Sequence, residues 1–168
     1  LFFPSSYRRA IKYGQKDAAN EILRTEVLSR LEQKKPVTVV TYPEALAEKV
    51  VSRKRLSDAM LTLKVGQQED TVKLMETLSK YGFEHVDYVY EPGQFALRGS
   101  ILDVYSFASE YPYRIDFFGD EIDSLRTFEV ETQLSKEKKD SICIVPELSG
   151  TEGADICFLD FLDKDATL

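Results

Sequence analysis

The sequence of 168 residues contains no tryptophan, a single histidine and only two cysteines. Because His85 stands alone, multi-histidine metal sites are excluded, and any serine–histidine or cysteine–histidine pair would depend on that one residue. Cys143 and Cys157 lie in apolar, strand-like contexts with no histidine nearby. They are therefore predicted to be buried thiols that behave as small hydrophobic residues, and no metal site is expected.

A long hydrophobic run is also missing. No segment approaches the roughly 18 consecutive apolar residues that a membrane-spanning helix needs, and the apolar start at Leu1 is too short for a secretory signal. We expect a cytoplasmic protein with no membrane partner. The chain begins with leucine and ends on strand-like residues, so we expect a fragment of a longer protein. Hydrophobic residues make up 43% and charged residues 30%, which is typical of a folded domain.

Positive charge is scarce, since 22 Lys and Arg residues stand against 29 Asp and Glu residues, for a formal net charge of -7. Nucleic-acid-binding proteins usually present a positive surface to the phosphates, so binding by the whole chain is disfavoured. One alternative stays open, in which the chain contacts DNA directly. Its contacts would be the basic run at residues 53–55 (RKR) and the rings of Tyr88 and Tyr90, which could stack on bases.

A phosphate-binding loop of the P-loop type is missing as well, because none of the eight glycines is followed by lysine. The chain is therefore predicted to have no ATP-hydrolysing site and no catalytic residues of its own. The acidic segment 120–123 (DEID) follows an apolar strand and resembles the carboxylate box with which helicases hold magnesium. A hairpin turn explains it better, because Gly119 supplies the conformational freedom that a tight turn needs.

The first third of the sequence shows alternating helix and strand patterns. Apolar residues recur at helical spacing over residues 16–34, and Pro36 ends that predicted helix. Residues 37–41 (VTVVT) predict a strand buried on both faces, of the kind found in parallel sheets, and residues 44–51 predict a short helix. Helix followed by strand is typical of α/β domains.

The middle of the sequence shows a different pattern. A strand over residues 61–65 and an amphipathic helix over residues 71–81, ended by Gly82, precede five short alternating segments. These segments cover residues 85–90, 94–97, 100–105, 113–118 and 121–130. Because so few residues connect them, they must pair mostly antiparallel. The middle is therefore predicted to be a small α+β domain with one helix packed on an antiparallel sheet.

The sequence further predicts that the α+β domain is inserted into the α/β domain. Residues 135–140 (SKEKKD) are expected to be a polar connector, after which residues 142–145 and 156–159 return to buried-strand character. The predicted ranges are residues 1–55 with 136–168 for the discontinuous α/β domain, and residues 56–135 for the inserted α+β domain.

Arg98 is the residue whose setting most favours an interaction surface. It comes just before Gly99, between two predicted strands, where a planar guanidinium can project from a rigid scaffold toward a carboxylate or a carbonyl of a partner. The alternative is a structural arginine that pairs with Asp103, Asp116 or Glu121 on a neighbouring strand. The residues alone favour neither interpretation.

Four motifs carry a resemblance to a known family. They are YGFEHVD (81–87), EPGQFALRGSILDV (91–104), PYRIDFFGDEIDSLR (112–126) and TQ (132–133). In this order and at this spacing they resemble the transcription-repair coupling factors, the Mfd family, and more distantly the UvrB subunit of excision repair, which shares the module. The similarity is strong over residues 61–133 and weaker over residues 2–51 and 142–159.

The resemblance implies a fold and a function. Residues 1–55 and 136–168 would be a degenerate nucleotide-fold (RecA-like) remnant, the UvrB-like domain 1, and residues 56–135 would be the UvrA-binding domain 2. This module would recruit UvrA to sites of stalled RNA polymerase. The parent in this family is an ATP-dependent DNA translocase whose ATP, magnesium, RNA polymerase and DNA sites lie in other domains, so no cofactor is expected here. If the chain instead contacts DNA directly, the resemblance implies a DNA-contacting accessory domain of a helicase-like repair protein.

The resemblance also implies a partner-binding surface around Arg98, which matches the second arginine of a Phe-Arg-x-Arg-Gly strand in UvrB. Ala96 takes the place of the first arginine, and Glu84 stands where some coupling factors carry a basic residue, so the surface is less basic than in the family. The residues expected to form it are Arg98, Phe95, Leu97, Gly99, Glu84 and Tyr88. Masking of the same strand by another part of the full-length protein is a further alternative.

Overall fold

A computed structural model describes residues 1–6, 18–34, 36–148, 155–164 and 166. The chain divides into two compact units, which we call the terminal unit (Leu1–Ala59 with Leu148–Leu168) and the central unit (Met60–Glu147). No helix among the described residues is long and apolar enough to cross a membrane.

The secondary structure is mixed α+β. The helices are α1 (Ala18–Glu32), α2 (Pro43–Ala47), α3 (Arg53–Ala59), α4 (Thr71–Lys80) and α5 (Phe158–Phe161). The strands are β1 (Lys49–Val51), β2 (Leu61–Lys64), β3 (Glu84–His85), β4 (Gln94–Arg98), β5 (Ile101–Val104), β6 (Tyr113–Phe118), β7 (Glu121–Phe128), β8 (Ser135–Lys139), β9 (Ser141–Ile144) and β10 (Asp155–Cys157).

A six-stranded sheet in the order β3-β4-β5-β6-β7-β8 organises the central unit. Every neighbouring pair is antiparallel except β3 and β4. Only two residues connect β6 to β7, and Gly119 there adopts φ +64°, a conformation that L residues rarely occupy. The acidic segment 120–123 is therefore part of a hairpin, as predicted.

The core of the central unit lies on one face of this sheet, which we call the inner face. Side chains alternate between the two faces of a strand, and the apolar ones gather on the inner face. Its buried residues are Phe95, Leu102, Val104, Ile115, Phe117, Ile122 and Leu125. Helix α4 packs there through Leu74 and Leu78, as the amphipathic pattern predicted. Burying each such side chain stabilises the fold by about 1.5–3 kcal/mol.

Helix α4 begins and ends close to where the sequence pattern predicts. The Asp70 carboxylate accepts hydrogen bonds from the backbone N–H groups of Val72 (2.9 Å) and Lys73 (3.2 Å), which satisfies donors that a first helical turn leaves open. Tyr81 is the C-cap, and Gly82 after it has φ +84°. The predicted helix over residues 71–81 is thus confirmed to within a residue.

The predicted polar connector at residues 135–140 is wrong, because β8 occupies most of it. Lys138 and Lys139 pair with Arg126 and Leu125 of β7, and the other side chains of β8 are exposed. Charged side chains along an edge strand discourage pairing with further chains, and a strand that is solvated on both faces carries no apolar alternation to reveal it.

The border between the units also lies later in the sequence than we expected. Strand β9 pairs with β2 in a separate two-stranded ladder, in which Ile142 lies opposite Leu63. Both side chains are buried in the core of the central unit. Residues up to Glu147 therefore belong to the central unit instead of returning to the first one at residue 136.

The terminal unit differs more from its predicted pattern. Helix α1 confirms the helix predicted over residues 16–34 from Ala18 to Glu32, while residues 16–17 lie outside the described residues. The buried strand predicted at residues 37–41 is wrong. Within that segment only Val40 makes a β-bridge, in parallel with Phe2, and the Val40 side chain is 62% exposed. A β-branched run therefore marks extended backbone here without a sheet to bury it.

Two further segments of the terminal unit differ from the secondary structure predicted for them. The helix predicted over residues 44–51 ends at Ala47, and β1 follows it and pairs antiparallel with β10. The strand predicted at residues 156–159 gives way to α5 after Cys157. Cys157 is exposed and Cys143 is only partly buried, so the prediction of two buried thiols is wrong for Cys157.

Arg53 joins three parts of the terminal unit. Its Nε and Nη2 donate to the carbonyl oxygen of Phe161 at 2.9 and 2.6 Å, and its guanidinium lies 4.8 Å from the centre of the Phe161 ring. It also pairs with Glu32 at 3.2 Å and with Asp163 at 3.0 Å. One side chain thus connects α3 to the end of α1 and to the segment after β10.

Candidate functional site

The face of the six-stranded sheet opposite the core, which we call the outer face, is lined with arginines and carboxylates. The strand registers set Ala96 opposite Asp103, Asp103 opposite Arg114, and Arg114 opposite Arg126. A second row places Arg98 beside Ile101, Asp116 and Ser124. The outer-face residues used below are Ala96, Arg98, Asp103, Arg114, Asp116, Phe118, Arg126 and Phe128.

Asp103 is the buried centre of this face. Its side chain has no exposed surface, and it accepts hydrogen bonds from two arginines. Arg98 Nη2 donates at 2.5 Å, while Arg114 donates from Nε at 2.8 Å and from Nη2 at 2.9 Å. Hydrogen bonding to Asp103 raises the pKa of Arg114 against the burial that would lower it. One carboxylate held by two guanidinium groups is a rigid, charge-assisted arrangement.

The same two arginines hold the loop at residues 86–90 against the outer face. Arg98 Nη1 donates to the carbonyl oxygen of Asp87 at 3.1 Å, and its guanidinium lies 4.7 Å from the centre of the Tyr88 ring. Arg114 Nη1 donates to the carbonyl oxygen of Gln133 at 3.0 Å, and Gln133 Nε2 donates to that of Val89 at 3.4 Å. These contacts form a closed ring through Asp103.

A small apolar cluster supports this ring. Val89, Ala96 and Phe128 are almost fully buried together, and the guanidinium of Arg114 lies 4.4 Å from the centre of the Phe128 ring. The side chain of Ala96 is 1% exposed. An alanine here fills the space beneath the loop at residues 86–90 and contributes packing to the site.

Arg98 forms the structural pair that was one of the two alternatives left open by the sequence. It pairs with Asp103, as the structural interpretation predicted, yet its side chain stays 33% exposed. A guanidinium has five N–H donors, and the contacts described for Arg98 use one on each Nη nitrogen. Among the described residues no partner is found for the Nε–H or for the second N–H on each Nη nitrogen. Arg98 is therefore held in place and still able to donate to a partner.

Of the other residues predicted for the site, Tyr88 and Gly99 lie closest to Arg98. Tyr88 is 51% exposed and stacks with the guanidinium. Gly99 adopts φ +62° in the turn from β4 to β5, which sets Arg98 opposite Ile101 and so brings Asp103 within reach. These three residues form one surface.

Phe95, Leu97 and Glu84 lie elsewhere. Phe95 is 1% exposed and Leu97 packs against the same core, so both side chains belong to the inner face. Glu84 is exposed on β3, and its neighbour His85 stacks on Phe95 with ring centres 5.0 Å apart. His85 is thus exposed on β3 and packs against the core residue Phe95.

Phe118 is a candidate residue that the sequence did not single out. It lies on the outer face at the end of β6, and 83% of its side chain is exposed. Phe117 before it is buried on the inner face. The strand pattern contained this signal, because the second of two adjacent phenylalanines on a strand must point away from the core.

Two of the residues proposed for DNA contact, Arg53 and Tyr88, make contacts within the protein, whereas Lys54 is exposed and the Tyr90 side chain is 56% exposed. Arg53 donates to Phe161, Glu32 and Asp163, and Tyr88 stacks on Arg98. Arg53 and Tyr88 belong to different units. No group of three or more His, Cys, Asp or Glu residues that could hold a metal ion occurs in the described part of the chain.

Comparison with known proteins gives the family. Residues 61–149 match the model of the UvrB interaction domain. The chain is 37% identical over 123 residues to the transcription-repair-coupling factor of Escherichia coli K12, which covers 73% of this chain and 11% of that protein. The factors of Haemophilus influenzae and Bacillus subtilis are each 33% identical over 123 residues, again 73% of this chain and 11% or 10% of theirs.

The chain thus spans about a tenth of the length of these curated relatives. The matched range begins at β2 and includes the six-stranded sheet, so it contains the inner core and the outer face together. The similarity to transcription-repair-coupling factors confirms the resemblance drawn from the four motifs. The chain belongs to the UvrB interaction domain family.

Proposed function

We propose that this chain is a non-catalytic UvrA-binding module of a transcription-repair coupling factor, and that UvrA binds the outer face of its central unit. The observation that carries the proposal is the state of Arg98, which is fixed by Asp103, Asp87 and Tyr88 yet keeps 33% of its side chain exposed. Arginine and aromatic side chains are the residues that most often anchor protein interfaces.

The chemistry of the outer face defines what it would recognise on UvrA. Arg98 offers a planar set of N–H donors, which suits a carboxylate or backbone carbonyls. Phe118 and Tyr88 offer exposed rings. Phe118 lies two strands from Arg98 and two residues along, so from strand spacing their Cα atoms are roughly 12 Å apart. An acidic group beside an apolar pocket would fit both anchors at once.

The rest of the parent protein supplies the context of this proposal. The terminal unit is a remnant of a RecA-like nucleotide fold, and UvrA is recruited to sites of stalled RNA polymerase in the cytoplasm. ATP, magnesium, RNA polymerase and DNA bind other domains of an ATP-dependent DNA translocase. The relatives carry the words transcription-repair-coupling factor in their names, which supports this context.

Titration of the chain with UvrA by isothermal calorimetry tests the proposal. Arg98→Ala and Phe118→Ala are each expected to weaken binding by more than about 1 kcal/mol, or roughly fivefold, because each removes an exposed anchor. Phe118 is 83% exposed, so its removal should leave the stability of the fold within about 0.5 kcal/mol. Loss of binding in that variant would then reflect a lost contact.

Lys80→Ala is the matched control. Lys80 is an exposed cation in the last turn of α4, which covers the inner face and therefore lies on the other side of the sheet from Arg98. Its removal is expected to leave the affinity unchanged. Equal affinities for the wild type, Arg98→Ala and Phe118→Ala would remove the outer face from the proposed function.

A further inference from the structure

The burial of Asp103 needs a physical reason. A carboxylate without exposed surface loses its hydration, and this loss is offset only by well-placed opposite charges and hydrogen bonds. Arg98 and Arg114 supply three hydrogen bonds to its two oxygens. An apolar side chain in the same place would fill the sheet without that loss of hydration, so fold stability alone does not explain a carboxylate here.

The charges around Asp103 leave the outer face able to attract an anion. One carboxylate lies between two guanidinium groups, so one positive charge stays without compensation within this group. Arg114 is only 13% exposed, whereas Arg98 is 33% exposed. The uncompensated charge is therefore presented to solvent mainly through Arg98.

The contacts of Arg98 also restrict how its side chain can move. A free arginine side chain samples many rotamers, and ordering it on binding lowers affinity. Asp103, the carbonyl oxygen of Asp87 and the Tyr88 ring hold the guanidinium at three points before any partner arrives. Asp103 is the only charged group among the three.

We propose that Asp103 is a positioning residue, which fixes the guanidinium of Arg98 in the orientation that a partner carboxylate requires while Arg114 balances its charge. This inference rests on the proposed function, because it assigns Asp103 a role through the arginine that contacts UvrA. The buried carboxylate of Asp103 does not itself contact the partner.

A double-mutant cycle with full-length variants of this chain and UvrA tests the inference. Asp103→Asn is expected to weaken UvrA binding about tenfold in the wild-type background, since Arg98 must then be ordered on binding. In the Arg98→Ala background the same substitution should change affinity less than about twofold. A purely structural role would give the same loss in both backgrounds, and that result would overturn the inference.

A second measurement decides the inference even if UvrA does not bind. Nitrogen-15 relaxation at the Arg98 Nε should show an ordered side chain in the wild type, with an order parameter near 0.8, falling below about 0.6 in Asp103→Asn. Equal order in both proteins would overturn the positioning role. Failure of wild-type binding, or unchanged affinity in Arg98→Ala, would instead contradict the proposed function.

Folding of the variant is checked by its thermal transition. If Asp103→Asn does not fold, the combination of Asp103→Asn with Arg114→Met serves in its place, because it also removes the guanidinium that would lose its partner. In this variant too, a lower order parameter at the Arg98 Nε than in the wild type would support the positioning role, and an equal order parameter would overturn it.

Discussion

Leu102→Ala is expected to lower the free energy of unfolding of the central unit by about 2–5 kcal/mol. Leu102 has no exposed surface and lies on β5, between Leu97 of β4 and Ile115 of β6. Truncation of this side chain leaves a cavity within the core of the central unit. Both flanking strands carry outer-face residues of the candidate site.

Amide hydrogen exchange on β5 and β6 measures this effect, because the chain contains two units and a single melting curve need not report on one of them. Val72→Ala is the control, since Val72 is 60% exposed on α4 and its truncation should stay within about 0.5 kcal/mol. Exchange in Leu102→Ala as slow as in Val72→Ala would show that the inner face does not form the core of the central unit.

Arg53→Ala is expected to destabilise the terminal unit by about 1.5–3 kcal/mol, the range found for hydrogen bonds that involve charged groups. The substitution removes two hydrogen bonds to the carbonyl oxygen of Phe161 and the pairs with Glu32 and Asp163. It also leaves the Phe161 carbonyl without those donors.

Lys54→Ala is the matched control for Arg53, because it removes a neighbouring cation whose side chain is exposed on the same helix. Faster amide exchange at Val50 and Val51 of β1 should appear in Arg53→Ala and be absent in Lys54→Ala. Identical exchange in the two variants would mean that Arg53 does not join the parts of the unit.

The elements that the sequence predicted well are those with a buried face. Helix α4 and strands β4 to β7 carry apolar residues at periods that follow from burial on one side. Two-residue turns also fix the pairing of β4 with β5 and of β6 with β7. Strand β8 lacks that signal, since most of its side chains are exposed, and the bridge at Val40 depends on Phe2 far away in the sequence.

The candidate site was predictable in part. The two-residue turn at Gly99 fixes the register of β4 on β5, so the pairing of Arg98 with Asp103 follows from local spacing. The contact between Arg114 and Gln133 does not, because it depends on how the connection between β7 and β8 lies over β6. Predicting that Phe118 lies on the outer face requires knowing which way each side chain of β6 points. The alternation of side chains gives that direction once the strand is assigned.

Hydroxyl-radical footprinting of the chain with and without UvrA shows which face of the sheet binds UvrA, because it reports which side chains lose contact with water. We predict protection of Phe118 and Tyr88 on the outer face, while Val72 and Met75 on α4 keep their reactivity. Protection of α4 with unchanged reactivity at Phe118 and Tyr88 would contradict the account.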